Sequence, residues 1–335
     1  MPDAPVTTLE EIPPSRRTPV PGVREALTRR WGRAGGRLYA SVRWGGAVVF
    51  VAVAISLVVS LLSSSSGAFA HSGLSLLWSG TWNPTKGRYG AETFIIGTLV
   101  TTAVALVLAV PVGVATAAFL SELAPRWLAA PLSVLVDLMA AVPSIVVGLW
   151  GLLVLVPVFA HHVEPFLKRI PVLEWFFHGA ALGPSMLLAG VVLAVMVLPT
   201  MVALSRTALA AVDVTDREAA RALGATRWQV VRRAVIPGAR TGIEAAVTLA
   251  MGRALGESIA VAMVIGNLIA VPHSLLAPGG TLGSAIVNFF GGVTSGLERS
   301  EVIALVVILL LITALVNAGG QLLLRSRARA RGAAV

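Results

Sequence analysis

Residues 218–238, EAARALGATRWQVVRRAVIPG, form an arginine-rich segment with one central glycine, set between two apolar runs at 182 to 205 and 242 to 271. Each run is long enough to cross a hydrocarbon layer, so the polar segment marks where the chain leaves a membrane and re-enters it. That reading decides the class of fold. Of the 335 residues, 56% are hydrophobic and only 13% are charged, with a mean hydropathy of +0.85. Soluble globules carry about a quarter charged residues, and the chain is therefore an all-α polytopic membrane protein by composition.

Working outward from residues 218–238, a span requires about 20 apolar residues, and six stretches qualify: roughly 44 to 62, 93 to 120, 132 to 159, 182 to 205, 242 to 271 and 301 to 324. They define a six-span transmembrane domain over 44–324, with a polar loop at 206–240. Residues 1–43, rich in Pro and Arg, are expected to be a largely disordered basic tail with at most a short helix around Arg24 to Arg33; residues 325–335 form a second basic tail. More than forty residues precede the first span, which favours an anchor over a cleaved leader. Pro111, Pro143, Pro157 and Pro199 fall inside spans, where neighbouring helices re-satisfy the backbone groups they free.

Charge placement sets the orientation. With the N-terminus in the cytoplasm, both tails and the 206–240 loop lie inside, and of the 26 lysines and arginines only Lys86, Arg88, Lys168, Arg169 and Arg299 fall outside. Both termini are thus expected to be cytoplasmic, with the chain in a bacterial cytoplasmic membrane. The same distribution explains the net charge of +10 through the membrane surface, without nucleic acid.

Several chemistries are absent. There is no cysteine, which excludes disulfides and thiolate metal sites. No GxxxxGK[ST] occurs, so the chain has no phosphate cradle of its own to hydrolyse ATP, and no catalytic residue or cofactor is expected. His161, His162 and Glu164 are close in sequence but read as side chains at the interface, not as metal ligands.

Charges at depth carry the functional signal. Arg253 lies in GRALGESIAVAMVIGN, about 18 Å from the inner end of the fifth span at about 1.5 Å per residue. A charge there costs about 2.5 to 3.5 kcal/mol on the mildest scale. Glu257, four residues on, falls on the same face of a continuous helix and is expected to pair with it. Two readings stay open: a closed ion pair that fixes helix packing, or a cationic site lining a water-filled path. Asp137, in the third span, is either a second partner for Arg253 or a helix-packing acid. Gly252 and Gly256 have the small-residue spacing of close helix contacts.

Within the opening segment, Ala219, Leu223, Val230 and Ala234 would share one face of a single helix, with Arg217, Arg221 and Arg232 turned away. Arg227 spoils that face and Gly224 favours a break, so two short helices joined at Gly224 and Ala225 are expected, the second capped by Thr226 and stopped by Pro237. By physics alone this is either a helix pair on anionic lipid or a docking element for a partner.

The order Glu218-Ala219-Ala220, Gly224, Ile236-Pro237 resembles the EAA loop of ABC importer permeases, with Ala234 and Ile236 replacing an isoleucine and a leucine usual in that family. Residues 141–159, 198–209 and 252–267 resemble the PstC-type permeases of phosphate-specific importers, with Val147 and Ser258 as the departures. The resemblance implies a type I ABC importer permease architecture in which Glu218, Ala219, Ala220, Leu223, Gly224 and Pro237 form a cytoplasmic coupling helix pair. It further implies an ATPase subunit dimer that binds the ATP, a second, PstA-like permease and an extracytoplasmic phosphate-binding protein. The Arg and Glu essential for transport in that family correspond to Arg253 and Glu257. Rival readings are a permease for sulfate, molybdate or phosphonate, a stand-alone ion-coupled transporter and a membrane scaffold.

Overall fold

The computed structural model describes residues 23–171, 175–180 and 182–332, with side chains over 41–171, 175–180, 182–324 and 326. Helices dominate, and among the described residues β pairing is limited to two isolated bridges. The chain divides into two units, Met1–Val59 and Ser60–Val335.

The first unit contains the start of helix α1, Val23–His71. Its apolar side chains from Val48 to Val59 are exposed on every side, as befits a helix whose solvent is lipid. Residues 23–43, expected in the disordered tail, belong to this helix; residues 1–22 lie outside the described residues.

The second unit holds α2 (Glu92–Ala118, closing in a π-turn at Phe119–Leu123), α3 (Arg126–Ala141), α4 (opening as Ser144–Trp150) and α5 (Met186–Ala210). It continues through α6 (Val214–Ala222), α7 (opening as Arg227–Val230), α8 (Arg240–Gly256), α9 (Ile259–Val264), α10 (Leu282–Phe290) and α11 (Gly296–Gly332). The C-terminal basic tail is a continuation of α11 as far as Gly332.

Among the described residues, five stretches are long and apolar enough to span: Ser41–His71, Glu92–Leu123, Ser144–Leu167, Met186–Ala210 and Gly296–Leu324. Two of the expected spans are corrected. The third begins at Ser144 rather than 132, because the residue before a proline disfavours helical geometry; Val142 and Pro143 are extended, and Asp137 belongs to the separate helix α3. The fifth is broken, since Glu257 is extended (φ −76°, ψ 123°) and separates α8 from α9.

The centre of the unit is packed from small and β-branched residues. Ala105 and Ala109 of α2, Val192, Leu193, Val197 and Met201 of α5, and Ala246, Ala250 and Ala254 of α8 are all buried together. Small side chains let α2 and α5 become the most extensively packed pair, while α5 and α11 flank α8. At one end of the unit Trp82 stacks on Phe289 (5.0 Å between centroids) and meets Tyr89 and Phe94 edge-on. Glu301 is buried there, accepting a hydrogen bond from Ser72 Oγ (2.6 Å). Beside it, burial and the carboxylates of Glu298 and Glu301 push the Tyr89 phenol up from its ordinary value.

The loop entering α10 is seated on α2 by a close approach. Thr98 Oγ1 accepts from Leu282 N (2.9 Å), and a Cβ on neighbouring Gly97 would collide with the Gly280 carbonyl oxygen. Gly97→Val is accordingly expected to cost about 1–3 kcal/mol, as overpacking against backbone does. Gly319→Ala, where a Cβ meets nothing within 4 Å, should stay within about 0.5 kcal/mol. Thermal unfolding of the detergent-solubilised chain checks the contrast.

Candidate functional site

Arg253 sits in the last turn of α8 and is exposed on the surface of the chain. Among the described residues its guanidinium has no hydrogen-bond or ion-pair partner. The expected pair with Glu257 does not form. The i,i+4 argument required an unbroken helix; instead α8 ends at Gly256, and Glu257 leaves the helical path with its backbone N–H on Ala254 O (3.3 Å). The two side chains flank a break in the backbone, half-buried at Glu257 and exposed at Arg253. Irregular backbone at membrane depth is tolerated where it is buried in protein or lines a watery cavity, so the break and the unpaired cation mark the same locality as special. Of the two glycines with small-residue spacing, Gly252 packs against the Asn317 amide of α11, while Gly256 faces open space.

Asp137 is placed elsewhere. It lines a cavity of about 360 Å³ together with Ser121, Ala203, Arg206, Thr207 and Ala210, where the end of α2, α3 and the end of α5 converge. Arg253 is not among these residues, so Asp137 shares a cavity wall with Arg206 instead of partnering Arg253. No feature of the sequence foretold this, because Asp137 and Arg206 come to line one cavity only through the packing of α3 on α5.

The 206–240 loop folds as two short helices meeting at Gly224, which has a left-handed φ of +79°. Asp213 caps α6 by accepting from Thr215 N (2.9 Å), and this hydrogen bond holds its carboxyl below the ordinary range. Thr226 caps α7 in a reciprocal box with Gln229. Pro237, expected to stop the second helix, does not. A π-turn at Val231–Val235 precedes it, and Ile236–Gly238 stays helical with Pro237 in its first turn, where a missing N–H is harmless.

The expected apolar face is also corrected. Val230, Val231 and Val235 turn inward, packing with Ala117, Leu120 and Leu209, whereas Leu223 is 89% exposed and Trp228, Glu218 and Ala219 are exposed as well. Arg217, placed on the outward face by the helical wheel, points inward and pairs with Glu122 at 3.0 Å. Glu164 is likewise turned in, accepting from Gly183 N (3.2 Å), with His161 and His162 exposed.

Residues 109–329 match the family described as binding-protein-dependent transport system inner membrane component. The chain is 40% identical over 288 residues to the phosphate transport system permease protein PstC of Pasteurella multocida, covering 85% of this chain and 89% of that protein. It is 40% identical over 291 residues to the protein of the same name from Xylella fastidiosa, covering 85% and 90%. It is 36% identical over 255 residues to the probable ABC transporter permease protein YqgH of Bacillus subtilis, covering 75% and 78%. In fold it is similar to a chain in the crystal structure of a bacterial ABC transporter involved in the import of the acidic polysaccharide alginate, with a TM-score of 0.52, 15% identity and 89% and 98% coverage. A helical membrane chain with this loop architecture and these relatives belongs to the inner membrane component family of binding-protein-dependent transport systems, and within it to the PstC-type ABC permeases.

Proposed function

We propose that the chain is the membrane-spanning permease subunit of an ATP-driven importer of inorganic phosphate, with Arg253 on the path the anion takes. The observation that carries this reading is the unpaired guanidinium of Arg253, one turn before the break in the backbone. Facing lipid, such a charge costs about 2.5–3.5 kcal/mol or more. Facing a watery cleft completed by a second permease, it is available to offer two parallel N–H groups to a phosphate dehydrated in passage. Glu257, on the extended residue after α8, moderates the positive field so that the anion is passed on. Asp137 and Arg206 line a further polar cavity on the pathway towards the arginine-rich end. Names given to the relatives favour phosphate over other tetrahedral oxyanions.

The partners are an extracytoplasmic phosphate-binding protein, a second, PstA-like permease and a dimer of ATPase subunits that binds and hydrolyses ATP. Both termini and the 206–240 loop lie in the cytoplasm of a bacterial cell, where most of the arginines are then placed. Glu218, Ala219, Ala220, Leu223, Gly224 and Pro237 belong to the docking segment. Leu223 and Trp228 supply its exposed apolar contacts, Gly224 the bend between its two helices and Ala220 its seating, with Pro237 exposed at its far end.

Three measurements test the reading. Proteoliposomes holding both permeases and the ATPase, with binding protein outside, should accumulate labelled phosphate only with ATP and in preference to sulfate and molybdate; equal uptake of the three would remove the substrate assignment. Arg253→Gln should assemble normally yet lower uptake by about 10- to 100-fold, the worth of a charged hydrogen bond, and failure to assemble would instead make Arg253 a packing residue. Gly224→Val forces a β-branched residue into a left-handed conformation, costing about 1–2 kcal/mol or more, and should weaken co-purification of the ATPase. Unchanged co-purification and uptake would defeat the docking assignment.

A further inference from the structure

Arg217 is half-buried in α6, the helix that also carries exposed Glu218 and Ala219 and is followed by exposed Leu223. Its guanidinium binds three acceptors outside α6, on the π-turn closing α2, on α5 and on the link after α5. Nη2 donates to Glu122 Oε1 (3.0 Å) and to Leu209 O (2.7 Å), and Nη1 donates to Val212 O (3.1 Å). Leu209 lies in the last turn of α5 and Val212 just beyond it, while Glu122 lies in the π-turn that closes α2. The two side chains are 14% and 13% exposed, so the pair is largely withdrawn from water.

Such a pair contributes little net stability, because desolvation offsets most of the attraction. What it supplies is direction. The apolar contacts near it, Val212, Leu209, Leu120 and Ala220, tolerate sliding, whereas a planar guanidinium held by three acceptors fixes where α6 stands relative to the ends of α2 and α5. These are also the two most extensively packed helices of the chain, so a displacement delivered to both ends moves a single body.

We propose that Arg217 and Glu122 are positioning residues for transport, forming a strut that carries the displacement of the docked α6–α7 segment into α2 and α5. The inference rests on the docking reading of residues 206–240. It predicts a separation that a purely structural role does not. The strut is needed for phosphate moved per ATP hydrolysed, and is dispensable for folding, for ATPase docking and for hydrolysis.

The test uses the complete importer in proteoliposomes with four chains compared: wild type, Glu122→Met with Arg217→Met together, Arg217→Lys, and Glu122→Gln. The double variant removes both buried charges and keeps apolar volume, so assembly, ATPase co-purification and hydrolysis are expected to persist while phosphate taken up per ATP falls about tenfold, within the range of residues that carry coupling. Arg217→Lys keeps a charge but cannot hold three acceptors in one plane, and should lower the same ratio several-fold, with an unchanged KM for loaded binding protein. Glu122→Gln keeps an acceptor without charge and should retain more of the ratio than the double variant. A double variant that transports at the wild-type ratio overturns the proposal, as does a proportionate fall in uptake and hydrolysis. Should the double variant fail to assemble, Arg217→Lys decides, and a wild-type ratio there overturns the strut. A wild-type chain that does not co-purify the ATPase counts against docking itself, a separate failure.

Discussion

Inside a hydrocarbon layer no water is available to satisfy backbone N–H and C=O groups, and nearly every feature of this chain follows from that constraint. It makes the apolar stretches helical whatever their individual propensities, and it explains why α2 and α5 keep Pro111 and Pro199 within continuous helices packed against neighbours. It also gives meaning to the place where helical structure stops. At Gly256–Ser258 the chain abandons helix between two segments that together would have crossed the membrane. A lipid-facing break there would leave polar groups stranded, so the locality is one that protein or water must cover.

Electrostatics divides the arginines by the same logic. Arg217 is largely withdrawn from water and binds three acceptors, while Arg253 binds none among the described residues. The first is held within this subunit through both Nη atoms and orders the loop; the second is complete only with something from outside, a hydrated cleft, a second subunit or an anion. That difference, and not the mere presence of charge among apolar residues, separates an architectural cation from a candidate transport cation. Asp137 and Arg206 fall between the two cases, sharing a cavity without closing into an ion pair.

The loop at 206–240 shows how far local rules reach. The bend at Gly224, the cap at Thr226 and the division into two helices follow from residue chemistry alone, and each is present. The wheel put Leu223 and Val230 on one face and Arg217 away from it, yet Val230 is buried, Leu223 is exposed and Arg217 turns inward, because α6 and α7 are separate helices whose faces are set by what they lie against. Pro237 was expected to end a helix, yet Ile236–Gly238 stays helical with Pro237 where a missing N–H is harmless.

By itself the sequence determined the membrane class, the approximate positions of most spans and the arginine-rich loop, since these depend on composition and on periodicities of a few residues. The tertiary structure alone decided that the fifth apolar run is broken at Glu257, that Asp137 and Arg206 line one cavity, and that Arg217 reaches Glu122 across 95 positions of sequence. The physical reason is common to all three. Whether a helix continues, and which charge finds which, depends on backbone and side-chain partners supplied by other elements, and those become neighbours only when the helices pack.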